Sequence, residues 1–279
     1  MQYGFPFCGS KSRIAKDIIE LLPRAHTFYD LFAGGCGITH AALLSNKWEA
    51  IIANDIQDTC SLFTRAIKGE FKDEKRWISR EEFHSQKGND PYIRWIWSFG
   101  NNGRSYMFGK KIEDIKKEAH EFLFKNGYDY TTKTRLALIK KFKEKNKLKK
   151  RFRLQQLEQL GRLEQLQQLE RLQQLKTSKK DYKEVNIKKN SVVYCDIPYK
   201  QKQESNEKNY YGVPFDTKDF YTWAKTRDFP VYFSSCFCDD PDFICIWQKE
   251  KKSLMVNKNS HGKKTIIEKL FFNGVKLKK

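Results

Sequence analysis

Over the first sixty residues the apolar positions change period several times. Ile14, Ala15, Ile18, Ile19 and Leu22 fall at helical spacing, which predicts a helix over Ser12–Leu22 stopped by Pro23. Thr27–Ala33 is a short apolar run followed by Gly34, Gly35 and Gly37. Ile38–Asn46 returns to helical spacing, and Ala50–Asn54 reads as a second buried strand that ends at Asp55. Strand, glycine turn, helix and strand in that order predict a βαβ unit with a parallel sheet. The alternation resumes after Ser178. Ser191–Cys195 is a buried-type strand ending at Asp196, and Asp216 is placed to N-cap a helix through Phe220, Trp223 and Ala224. Val231–Ser235, Phe243–Gln248 and Thr265–Phe272 read as three more strands.

The middle of the chain follows other rules. Glu70–Gly127 mixes charges with aromatics, among them Trp77, Trp95 and Trp97, and carries the turn cluster Gly100-Asn101-Asn102-Gly103. Lys133–Arg153 holds eleven basic residues and one acidic residue, Glu144, half of the chain's net charge of +20. Leu136, Leu138, Ile139, Phe142, Leu148 and Phe152 are interleaved with these cations, which favours a basic amphipathic helix. Leucines then recur at 154, 157, 160, 163, 166, 169, 172 and 175. Each step of three advances an α-helix by about 300°, so the stripe drifts by roughly 60° per repeat and cannot form a two-stranded coiled-coil seam. Two readings stay open: a helix with contacts on several sides, including self-association, or a repeat expansion tolerated at a surface.

Charge changes the picture most. With 54 Lys plus Arg against 34 Asp plus Glu, the chain favours a polyanionic partner, and nucleic acid is the commonest. Seven cysteines scattered along 279 residues do not form a secreted disulfide framework, and Cys236-Phe237-Cys238 lacks a second pair to complete a zinc site. They read as reduced cytoplasmic thiols. Met1–Ser10 has no signal-peptide pattern, and no apolar run is long enough for a membrane span.

Three predicted strand ends carry candidate chemistry, because parallel α/β sheets bind ligands at the carboxyl ends of their strands. Asp30-Leu31-Phe32-Ala33-Gly34-Gly35-Cys36-Gly37 offers a glycine turn that a ligand can approach closely, although such a turn also serves helix packing. Asp55, about twenty residues further on, is placed to accept hydrogen bonds from ribose hydroxyls or else to cap the Ile56–Ile67 segment. Together the two specify a nucleoside-containing cofactor, a dinucleotide or S-adenosylmethionine. Asp196-Ile197-Pro198-Tyr199 separates these. Methylation of an adenine amino group needs an acceptor for its hydrogens, a rigid carbonyl beside it and a flat face for the base. Asp196, the Ile197 carbonyl and Tyr199 supply these in turn, with Pro198 fixing the loop.

These motifs, in this order, resemble the Dam-like D12 class of N6-adenine-specific DNA methyltransferases. Phe7-Cys8-Gly9-Ser10-Lys11 resembles the family's aromatic-x-Gly-Gly/Ser-Lys element, which implies that Phe7 and Lys11 help hold the cofactor. Asp30 to Gly37 resembles the motif around the methionine end, giving Asp30, Gly34 and Gly37 cofactor roles. Asp55 matches the ribose-binding acid, and Asp196 to Tyr199 the Asp-Pro-Pro-Tyr loop, with Asp196 near both the cofactor and the target base. Phe215–Ala224 and Ile267–Phe271 resemble the family's C-terminal segments, and Arg94–Gly109 the start of its DNA-recognition region. One position departs: Ile197 stands where the family has a second proline.

The resemblance implies a Rossmann-like α/β methyltransferase fold, with a discontinuous catalytic domain of residues 1–68 and 185–279. Residues 69–184 are then an inserted, mainly helical target-recognition region that includes the basic segment 133–153 and the leucine repeat 154–175. It further implies S-adenosylmethionine as methyl donor, no metal, double-stranded DNA as partner, N6-adenine methylation of a flipped base, and a cytoplasmic place in a bacterial or phage-infected host cell. The rival with another outcome is a DNA-binding protein that keeps the fold with weak or no activity. Cytosine-C5 chemistry is disfavoured because none of the seven prolines precedes a cysteine. A nicotinamide enzyme is disfavoured because His40 replaces the third glycine of its fingerprint.

Overall fold

The computed structural model describes residues 3–125, 174–198, 215–252 and 265–277. The basic segment 133–153, the leucine repeat up to 173 and Tyr199 lie outside these residues. The chain forms two compact units. One comprises Met1–Gly4, Ser10–Phe63 and Leu169–Lys279, and the other comprises Phe5–Gly9 and Thr64–Gln168.

The first unit is built on one seven-stranded sheet, whose strands are β1 (Thr27–Asp30), β2 (Ala50–Asn54), β3 (Leu175–Ser178), β4 (Ser191–Cys195), β5 (Val231–Ser235), β6 (Ile244–Lys252) and β7 (Thr265–Phe272). Their spatial order is β3-β2-β1-β4-β5-β7-β6. The first five run parallel, while β7 pairs antiparallel with both β5 and β6. Every residue of β1, β4 and β5 is buried, as expected for central strands covered on both faces. Helices α1 (Ala15–Leu21) and α2 (Gly37–Ser45) belong to this unit, α3 (Thr59–Ile67) starts in it, and α7 (Thr217–Lys225) completes it. Asp216 caps α7 by accepting from the amides of Lys218 and Asp219, as the sequence predicts. Its Phe220, Tyr221, Trp223 and Ala224 bury against Val193, Val231 and Phe233.

The leucine block corrects one expectation. Leu175, the last of the eight leucines, is the first residue of β3, an edge strand parallel to β2, and not the end of a helix. Only its flanks are half-buried, so a four-residue Leu-Lys-Thr-Ser edge strand carries none of the apolar signature of the central strands. The predicted strand after the first helix also ends earlier, at Asp30, where Leu31 donates its amide to the Tyr194 carbonyl and the chain turns.

The second unit contains α4 (Arg80–Gln86), α5 (Pro91–Ile96) and α6 (Lys110–Lys125). Ser79 caps α4, while Asp90 caps α5, which has Pro91 in its first turn. Tyr92, Trp95 and Trp97 are fully buried at its centre, and Trp77 stacks on Phe108. No described helix is long and apolar enough to cross a membrane.

Candidate active site

The sheet order places β1 beside β2 on one side and β4 on the other, so connections leave in opposite directions from β1 and β4. That is the switch point at which open α/β sheets bind ligands. Asp30 ends β1, Asp55 follows β2, and Asp196 follows β4, so the three carboxylates lie at the carboxyl ends of three adjacent parallel strands.

Asp30 is almost fully buried. Its Oδ2 accepts from the amide of Thr39 at 3.1 Å and from the Thr39 hydroxyl at 2.7 Å, while Oδ1 has no hydrogen-bond partner among the described residues. Burial pushes its carboxyl up to about 7; the nearby Asp196 and Asp55 charges add to the rise, and the Thr39 hydrogen bonds oppose it. A buried acceptor with one free oxygen suits a ligand donor such as an ammonium group.

Between Asp30 and α2 the chain makes a tight turn, with Gly34 at φ 48° and Cys36 at φ 55°. The Gly34 amide donates to Asp55 Oδ2 at 2.8 Å, and the Gln57 amide to Asp55 Oδ1 at 2.9 Å. Desolvation raises the Asp55 carboxyl to about 6 against the pull of these two amides. Gly37 opens α2, and a Cβ there would make only ordinary contacts with Ser10 and Ser12. Gly4 is under far tighter constraint: a Cβ would lie 2.2 Å from the Gly35 carbonyl oxygen and 2.7 Å from the Gly37 nitrogen. The Gly4 amide donates to His40 Nδ1 at 2.9 Å, which fixes the N-terminal segment on the turn.

Lys11 is buried with its ammonium 2.6 Å from Asp196 Oδ1 and 3.7 Å from Glu268 Oε1. Burial pulls its pKa down, but the Asp196 and Glu268 charges more than offset this and leave it above its ordinary value. Ile197 is 2% exposed and lies in the core with Val193, Cys195, Phe220 and Phe233. Burying such a side chain is worth about 1.5–3 kcal/mol, so the loop is anchored by packing where a second proline would anchor it by ring geometry. Pro198 is half-buried. Phe7 belongs to the second unit, where its ring lies 5.2 Å from that of Trp95.

Three partners of these residues escaped the sequence reading as site residues. Thr39 holds Asp30. Asn54 joins distant segments: its Nδ2 donates to the carbonyls of Leu31 and Lys180, and its Oδ1 accepts from Ser178 Oγ and the Lys180 amide. Glu268 faces Lys11 from β7, and it did carry a signal, a lone acid on the inward phase of the strand whose next inward residue is Leu270.

The family model of the D12 class N6 adenine-specific DNA methyltransferases matches residues 7–230 of the chain. The chain belongs to this family, and it is accordingly an S-adenosylmethionine-dependent adenine DNA methyltransferase with DNA as its partner. Comparison with curated proteins returns no match. The residues present fit the donor: an acid-rich crevice, a free buried oxygen on Asp30 and a carboxylate oriented by two amides suit a ligand carrying a sulfonium, an ammonium and a ribose. Among the described residues no group of three or more His, Cys, Asp or Glu side chains is arranged to hold a metal ion.

Proposed function

We propose that the chain methylates N6 of an adenine flipped out of duplex DNA, with Asp196 and the Ile197 carbonyl as acceptors for the amino hydrogens and Tyr199 as the stacking face. The observation that carries this reading is the convergence of Asp30, Asp55 and Asp196 at the switch point, with Lys11 bonded to Asp196. When bound, S-adenosylmethionine supplies a methyl carbon made electrophilic by its sulfonium. Asp55 accepts from the ribose hydroxyls, while Asp30 and the turn at Gly34 and Gly37 receive the methionine end. The Lys11 ammonium at Asp196 Oδ1 holds the carboxylate that accepts an N6 hydrogen. Asp196 and the Ile197 carbonyl orient the N6 lone pair toward the methyl carbon and stabilise the positive charge that grows on nitrogen. The excess N6 proton passes to solvent after transfer. A metal has no part in this reading. The role that the family motif gives Phe7 rests on sequence alone.

Residues 1–68 and 185–279 form the catalytic domain in this proposal, and 69–184 recognises the target. The cations of 133–153 bind duplex phosphates. In the second unit, Ser98 pairs with Tyr106, Ser98 Oγ accepts from the Gly103 amide, and Asn101 Nδ2 donates to the Trp95 carbonyl. This stiff turn holds Phe99 62% exposed, with Arg104 exposed on the same turn. An apolar ring beside a cation suits contact with stacked bases and phosphate. The setting is the cytoplasm of a bacterial or phage-infected cell.

Methyl transfer from labelled S-adenosylmethionine to adenine-containing duplex DNA tests the reading. Asp196→Ala is expected to lose at least about 100-fold in rate while still binding the donor, a loss typical of removing a preorganised polar group. Near-normal transfer by that variant would exclude the proposed role of the loop.

A further inference from the structure

Glu268 is a fourth carboxylate beside a site that already gathers Asp30, Asp55 and Asp196. Its side chain is 3% exposed, that of Lys11 4%, and that of Asp196 22%. A buried ion pair is rarely worth more to stability than apolar residues of the same size, so stability alone does not account for an acid on the inward phase of β7. Burial, with a smaller push from the Asp196 and Asp55 charges, already raises Asp30 to about 7, so a further buried acid beside Asp196 adds charge to a site that is costly to keep ionised. Charge count supplies a reason. Lys11 and Asp196 alone are neutral as a pair, and the ammonium at 2.6 Å opposes any cation that approaches Asp196. Glu268, 3.7 Å from the same ammonium, offsets it. The three groups together then carry one net negative charge.

We propose that Glu268 is a positioning residue that balances Lys11, so that the Asp196–Lys11–Glu268 group stays net negative and favours the cationic methyl donor over its neutral thioether product. The inference rests on the reading of Asp196 given above, and it adds that product release is built into the charge of the site. Donor and product differ by one methyl group and one positive charge, so their affinity ratio reports the local charge directly. A residue that only supports the fold would weaken both ligands alike.

The test is titration calorimetry of the full chain at pH 8 with S-adenosylmethionine and, separately, S-adenosylhomocysteine, with thermal melting as a check on folding. Glu268→Gln is expected to lower the donor-to-product affinity ratio by about fivefold, the size expected for one charge several ångströms away in a medium of intermediate dielectric. Glu268→Asp keeps the charge and is expected to hold the ratio within about twofold. An unchanged ratio in Glu268→Gln overturns the proposal, as does a ratio change in Glu268→Asp as large as that in Glu268→Gln. Should Glu268→Gln not fold, Glu268→Met, uncharged and of similar size, takes its place: a ratio lowered by about fivefold supports the proposal, and an unchanged ratio overturns it. An unchanged ratio together with inactive Asp196→Ala defeats only the role of Glu268. A wild-type chain that binds neither ligand defeats the assignment of the cofactor site as well.

Discussion

Gly34 and Asp55, 21 residues apart, are joined by an amide-to-carboxylate hydrogen bond of 2.8 Å that ties the glycine turn to the end of β2. With the Gln57 amide on the other oxygen, the carboxylate is oriented before any ligand arrives. Replacing Asp55 by Ala removes both the acceptor and the turn's anchor. Hydrogen bonds to a charged group are worth about 1.5–3 kcal/mol, so the affinity for S-adenosylmethionine should fall by roughly 10- to 100-fold. Calorimetric titration reads this, and unchanged affinity would remove Asp55 from the cofactor site.

Asp30 and Asp55 make stability depend on pH with an unusual sign. Their carboxyls sit at about 7 and about 6 in the folded chain, above the ordinary 3.8. Between about pH 4 and 7 the native state keeps protons that the unfolded chain has released, so their contribution to stability falls as pH rises through that window. His40 acts oppositely: burial lowers it to about 4, so acid favours the unfolded chain between about pH 6.5 and 4. Asp30→Asn removes the largest of these terms. Its melting temperature relative to wild type is therefore expected to increase from pH 5 to pH 7.5. A difference that does not vary with pH would contradict the assignment.

Binding of the donor carries the converse dependence. A cation prefers ionised carboxylates, so affinity should rise between pH 6 and 8, and binding near pH 6.5 should release protons. Titration in buffers of different ionisation enthalpy measures that release, and its absence would argue against ligand contact with Asp30 and Asp55.

Gly4 tests how the N-terminal segment supports the turn. At φ 66° and with a would-be Cβ 2.2 Å from the Gly35 oxygen, an alanine has neither the conformation nor the space. Gly4→Ala should cost about 2 kcal/mol or more in denaturant unfolding and weaken cofactor binding by displacing the turn. Gly100→Ala is a useful control, because it shares a positive φ but has nothing within 4 Å of the added methyl. It should cost only about 1 kcal/mol and leave cofactor affinity intact.

In the proposed reading Phe99 contacts the target DNA. Phe99→Ala should reduce methylation of a fully paired duplex by about tenfold. With a mismatch at the target adenine, where extrusion costs less, the reduction should be smaller. Equal losses on both substrates would indicate that the ring serves some other end.

Much of this architecture is readable from pattern alone, and the exceptions have physical causes. Strands β2, β4, β5 and β7 coincide with the apolar runs: β4 and β5 are buried along their whole length, and β2 and the C-terminal half of β7 bury enough apolar side chains to show the same signal. Strand β3 is invisible because it borders only one neighbour and needs few apolar side chains. Asp55 and Asp196 stand out because each follows an apolar run, and Asp30 because it is the one charge inside such a run. Glu268 shows only as a lone acid on an apolar strand, without its partner Lys11, and Asn54 does not stand out at all, since what defines it is a partner far along the chain: Lys180 is 126 positions away. Local pattern carries no information on such pairs.

The register of β2 against β3 also bears on how this gene can change. Asn54 and Ser178 are paired in adjacent strands, yet 123 residues separate them along the chain, including the whole leucine repeat. Closing an excursion of that size costs only about 0.6 kcal/mol more for each doubling of its length. One further copy of a three-residue unit is therefore thermodynamically negligible to the sheet. On the proposed division of the chain, replication slippage in the repeat can lengthen or shorten the recognition region while Asp30, Asp55 and Asp196 keep their places at the strand ends.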